Sequence, residues 1–123
     1  MPYCNDVYSW DPEGSGPPQN LTDAPASWDE FGQRSPDGRT LSFVSSRFDT
    51  SLRYPRSRTR DLRTELFLQR GAGPPERATH LNGEGEKRVV SDYAWSPDGK
   101  RIVFQVAELA SERPPDLWVL ELP

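Results

Sequence analysis

The chain has 123 residues, 33% hydrophobic and 28% charged, with a net charge of −4 and a mean hydropathy of −0.82. That length suits one domain; no apolar run is long enough to span a membrane, and the acidic balance makes no case for nucleic acid. One cysteine and one histidine exclude an internal disulfide and leave little for metal ligation, while 13 prolines and 9 glycines argue against long helices. Four tryptophans call for a folded core, so the composition predicts a loop-rich β-protein built from short strands.

The predicted strands, in chain order, cover 6–11, 19–22, 27–34, 40–45, 64–70, 76–79, 89–95, 101–106 and 116–122. The first carries Asp6-Val7-Tyr8-Ser9-Trp10, an acid followed by apolar and aromatic residues, as in a short buried strand. The same element returns as Glu65-Leu66-Phe67-Leu68-Gln69 and as Asp116-Leu117-Trp118-Val119-Leu120. Trp10, Phe67 and Trp118 are therefore assigned to inter-sheet packing. The second strand, Gln19-Asn20-Leu21-Thr22, comes after a Gly/Pro turn, and Glu76-Arg77-Ala78-Thr79 echoes it.

Between strands three and four lies Ser35-Pro36-Asp37-Gly38, and between seven and eight Ser96-Pro97-Asp98-Gly99. The whole block Arg34–Val44 recurs as Trp95–Gln105 at a constant offset of 61 residues. Proline presets φ at the second turn position, aspartate suits the third, and glycine takes the positive φ at the fourth. After each turn, Leu41 and Phe43, or Ile102 and Phe104, alternate with more polar residues at the period of a strand. The repeating unit is a four-stranded antiparallel meander, the form of a propeller blade.

With these motifs the chain resembles the TolB-like (WD40-like) β-propeller repeat, and is similar to the blades of prolyl-oligopeptidase-type peptidases. The resemblance rests on Ser35–Arg47 and Ala94–Val106 with Leu21-Thr22 upstream. It implies an all-β fold, a cell-envelope setting and a division of the strands among blades. Residues 1–22 hold the third and fourth strands of a first blade, and 23–81 a complete blade with an insertion at 47–63. Residues 82–123 hold the first three strands of a last blade. The spacing exceeds the roughly 40–45 residues of such a blade because of the insertion. Two and a quarter blades fall short of the roughly four to eight that close a ring. Three arrangements stay open: a homo-oligomer closing a ring as trimer or tetramer, a piece of a longer propeller, or an open sheet pair that dimerises. The initial Met1 and compact length favour a complete, oligomeric chain.

Enzyme chemistry finds no support. There is no Gly-x-Ser-x-Gly elbow, and His80 comes after a fourth strand as a solvated or capping residue. Asp29 and Glu30 are strand neighbours pointing to opposite faces, so they would not converge on a substrate. Asn82–Glu86 lacks the residues of a phosphate loop and matches no calcium loop. The Asn20-Leu21-Thr22 sequon reads as strand, and residues 1–6 lack the pattern of a secretory signal. Cofactor, metal and catalytic residues are accordingly assigned to none. Arg47, Arg53, Arg56, Arg58, Arg60 and Arg63 give the insertion a net charge of +4, leaving −8 elsewhere. They are the candidate contacts for an acidic partner or subunit, against the plainer reading of a solvated loop. The expected function is a non-enzymatic, self-associating binding or scaffold module. The enzyme-class alternative is a substrate-gating segment beside a peptidase domain outside this chain.

Overall fold

The computed structural model describes residues 5–51 and 61–123. Within them nine strands form in the predicted order: β1 (Tyr8–Ser9), β2 (Gln19–Asn20), β3 (Asp29–Arg34), β4 (Thr40–Ser45), β5 (Glu65–Arg70), β6 (Glu76–Arg77), β7 (Arg88–Trp95), β8 (Arg101–Glu108) and β9 (Asp116–Glu121). They make three antiparallel sheets of two, four and three strands, in the orders β1-β2, β3-β4-β5-β6 and β7-β8-β9, none of them closed. No helix among the described residues is long and apolar enough to cross a membrane.

The two Ser-Pro-Asp-Gly turns are built alike, and their chemistry explains the residue choice. Ser35 Oγ donates to Asp37 Oδ1 at 2.6 Å and accepts from Thr40 N at 3.0 Å, while Arg39 N donates to Asp37 Oδ1 at 3.0 Å. Ser96, Asp98, Lys100 and Arg101 repeat this at 2.6, 3.0 and 2.9 Å. These bonds hold both Asp37 and Asp98 below the ordinary carboxylate range. Gly38 and Gly99 take φ of +74° and +69°, the left-handed region that a Cβ disfavours. Along each hairpin a bulge interrupts the pairing, between Glu30 and Gln33 in one sheet and between Val90 and Tyr93 in the other.

The four-stranded sheet lies between its neighbours. Its Leu41, Phe43 and Phe67 pack against Val7 and Leu21 of the β1-β2 hairpin and against Phe48. Its other face, through Val44, Leu66 and Leu68, packs against Val90, Tyr93, Ile102, Phe104 and Val106 of the third sheet. Each of these large apolar side chains contributes about 1.5–3 kcal/mol on burial. The hairpin sits directly over Gly32, where a Cβ would lie 2.3 Å from Val7 Cγ1. Polar bonds tie the second contact: Tyr93 Oη donates to Phe31 O and lies 2.8 Å from Ser42 Oγ, and Trp95 Nε1 donates to Ser42 Oγ at 2.9 Å.

Candidate interaction surface

The insertion's arginines divide. Arg47 is turned inward: its guanidinium bonds the buried Asp29 carboxylate and Ser45 Oγ, and lies 4.8 Å above the Phe43 ring. Burial pushes the Asp29 carboxyl above the usual range, with the bonds from Ser45 and Arg47 pulling the other way. Arg63 is paired with Asp49 and donates to Glu86 O at 3.4 Å. Arg53, Arg56, Arg58 and Arg60 lie outside the described residues. His80 is exposed, and Asn82 is used internally, its side chain accepting from Arg88 N at 2.6 Å and donating to Thr64 O at 3.2 Å. Asn20 of the sequon donates to Asp6 Oδ2 at 2.7 Å and accepts from Asp23 N at 2.9 Å.

A different pattern, not legible in the sequence, links the repeats. The acid that opens β5 and the acid two residues before Tyr8 each anchor the next strand along the chain. Glu65 is fully buried, and its carboxylate accepts from Arg77 Nη2 at 2.9 Å, Leu81 N at 2.7 Å, Asn82 N at 2.8 Å and the Thr79 hydroxyl. The Thr79 Oγ1 in turn accepts from Leu66 N at 2.9 Å. The hairpin repeats this clasp. Asp6 Oδ1 accepts from Thr22 Oγ1 at 3.2 Å and from Ala24 N at 3.0 Å, while Thr22 Oγ1 accepts from Val7 N at 3.0 Å. Burial pushes Asp6 up, but the bonds from Ala24, Asn20 and Thr22 outweigh it and hold the carboxyl below its ordinary range.

The register is the same in both cases. Tyr8 pairs with Asn20 and Ser9 with Gln19; Phe67 pairs with Arg77 and Leu68 with Glu76. Continued two residues, each pairing sets the threonine opposite the acid. The register also aligns Tyr8, Phe67 and Trp118, two residues after their acids. Trp10, expected among them, stands instead at the place of Gln69 and is exposed.

The third copy of the element is open. Asp116 is exposed and its carboxylate has no hydrogen-bond partner among the described residues. β9 pairs with β8 as β5 pairs with β4: Leu117 opposes Gln105 as Leu66 opposes Val44. Antiparallel strands turn alternate residues to alternate neighbours. Leu66 bonds outward to Ala78 and Thr79, so Leu117 and Val119 present their N–H and C=O groups at an edge that no other described strand pairs with. The outer face of this sheet carries Val103, Leu117 and Val119, all exposed, and at the other end of the stack Tyr8 and Trp10 are exposed.

No protein-family model matches this chain, and no curated protein matches it significantly.

Proposed function

We propose that the chain is a non-enzymatic binding and scaffold module of the TolB-like propeller type, which associates head to tail with copies of itself. The observation that carries this reading is the equivalence of its two outer faces to its inner contacts. Val103, Leu117 and Val119 occupy the register positions of Ser42, Leu66 and Leu68, which the third sheet covers. Tyr8 alternates with Val7, which packs on the central sheet, and both Tyr8 and Trp10 are exposed. Each copy thus offers two unused end faces, each the counterpart of a face that is covered inside the stack. Exposed apolar residues grouped on a sheet face mark an interaction site, and an unpaired edge strand invites another chain.

A contact between unlike surfaces either closes into a ring or grows into a filament. If the three sheets are blades, the fixed rotation of a propeller from blade to blade favours closure. Two blades per chain give six blades in a trimer or eight in a tetramer, within the range of closed propellers. Light scattering at micromolar concentration tests the reading. The expected mass is three or four times the 14.0 kDa of the chain, reduced to one chain by Tyr8→Arg with Trp10→Arg. A folded monomer from the unmodified chain overturns it.

A further inference from the structure

We infer that β9 is a receptor for an extended segment of defined chemistry: two polar residues, an apolar residue and a threonine, antiparallel to β9, with the threonine opposite Asp116. The inference rests on the binding-module reading of the open edge, but not on self-association.

The two filled edges supply the specification. Gly16-Pro17-Pro18-Gln19-Asn20-Leu21-Thr22 and Gly73-Pro74-Pro75-Glu76-Arg77-Ala78-Thr79 share the form Gly-Pro-Pro-polar-polar-apolar-Thr. In each, the threonine hydroxyl donates to the acid and accepts from the backbone N–H of the residue after it. In each, the N–H two residues beyond the threonine closes on the same carboxylate. The β9 edge, unpaired among the described residues, holds the complementary half of this clasp: the exposed Asp116 carboxylate and, one residue on, the outward N–H of Leu117. A serine or threonine is the only uncharged aliphatic side chain that both donates to the acid and accepts from that amide at one oxygen. Hydroxyl recognition by an ionised carboxylate is among the stronger hydrogen bonds, and the strand's main-chain bonds add length-dependent affinity without selecting sequence. The occupant is therefore an apolar-Thr strand, and the threonine supplies the selectivity.

The probe is a fluorescein-labelled peptide with the sequence of residues 16–25, titrated into the full chain and into the Tyr8→Arg/Trp10→Arg chain, whose β9 edge stays free even where the unmodified protein associates. Anisotropy reads affinity, and backbone-amide hydrogen exchange reads location. The expected result is saturable binding that slows exchange at Leu117 and Val119. The same peptide with Thr22→Val binds at least about tenfold more weakly, as the loss of one charge-assisted bond requires. Asp116→Ala in the protein erases that difference between the two peptides. No binding at millimolar peptide overturns the inference, as does binding that ignores the threonine or protects another strand. If the unmodified chain multimerises while the Tyr8→Arg/Trp10→Arg chain ignores the peptide, the assembly reading stands and this one is removed; a monomeric unmodified chain that takes the peptide does the reverse.

Discussion

β5 and β9 are nearly the same strand in two settings. Both begin with an acid, continue leucine, aromatic, aliphatic, and lie in the same register against an inner neighbour. Leu66, Phe67 and Leu68 are 0%, 5% and 3% exposed, whereas Leu117, Trp118 and Val119 are 72%, 45% and 59% exposed. The contrast cannot come from strand propensity, which is matched. It comes from what lies beside and above each strand: among the described residues β5 has β6 on its edge and a sheet on each face, and β9 has one edge and one face open. Burial in this molecule is a property of the stack, and a strand at its end carries core residues with nothing over them.

The largest effect should come from breaking the clasp that β5 has and β9 lacks. Glu65→Leu strands the Arg77 guanidinium, the Thr79 hydroxyl and the amides of Leu81 and Asn82 without their acceptor. Removing one partner of a buried, hydrogen-bonded ion pair costs about 3–5 kcal/mol. The matching substitution Asp116→Leu removes a carboxylate without partners among the described residues and should stay within about 0.5 kcal/mol in the monomeric chain. Urea unfolding of both variants in the Tyr8→Arg/Trp10→Arg background checks the pair. Equal losses would mean that the two acids are not in the different settings described.

These two strands also show how far the sequence can be read. All nine strands are legible, because Ser-Pro-Asp-Gly fixes where the chain reverses and the two-residue alternation of Leu41-Phe43 and Ile102-Phe104 marks the strand after each reversal. The acid–threonine clasp is not legible. Asp6 and Thr22 are 16 residues apart, whereas Glu65 and Thr79 are 14 apart. The hairpin loops differ in length, so no fixed spacing repeats and only the strand register aligns the pairs. Charge alone groups Arg47 with the insertion's other arginines. Its inward turn depends on Asp29 and Phe43, which chain reversal brings beside it. The bulge residue Phe31, at φ +56°, has no marker such as glycine at its own position.

A smaller effect probes the junction that buries one face of β5. Tyr93 Oη is held against Ser42 and Phe31, and burial pushes its pKa up to about 12, with the bond involving Ser42 pulling the other way. The folded state favours the neutral phenol. This contribution is fully present below the unfolded value near 10 and is lost as pH rises toward 12. Tyr93→Phe should cost about 1 kcal/mol at neutral pH and flatten the decline in stability between pH 10 and 12. The measurement is the urea midpoint as a function of pH. An unchanged alkaline slope in the variant would place the titrating group elsewhere.

The smallest difference, one expected to be zero between two equivalent variants, asks whether the well-covered sheet and the half-covered one unfold together. Gly38 and Gly99 close equivalent turns at φ +74° and +69°. A Cβ at Gly38 meets nothing within 4 Å, and one at Gly99 meets only Pro36 Cδ at 3.8 Å, an ordinary contact. Alanine at either position therefore costs backbone strain alone, about 1–2 kcal/mol. If both sheets belong to one cooperative unit, Gly38→Ala and Gly99→Ala lower global stability equally, despite the difference in burial around them. Native-state hydrogen exchange resolves the alternative. Were the β7-β8-β9 sheet a separate unit, Gly99→Ala would speed exchange in its own strands and leave Phe43 and Leu66 protected as before. Tyr93 and Trp95 both bond Ser42 across the junction, so fraying of the third sheet withdraws partners from the buried face of the central one. Equal losses are the expected outcome for that reason.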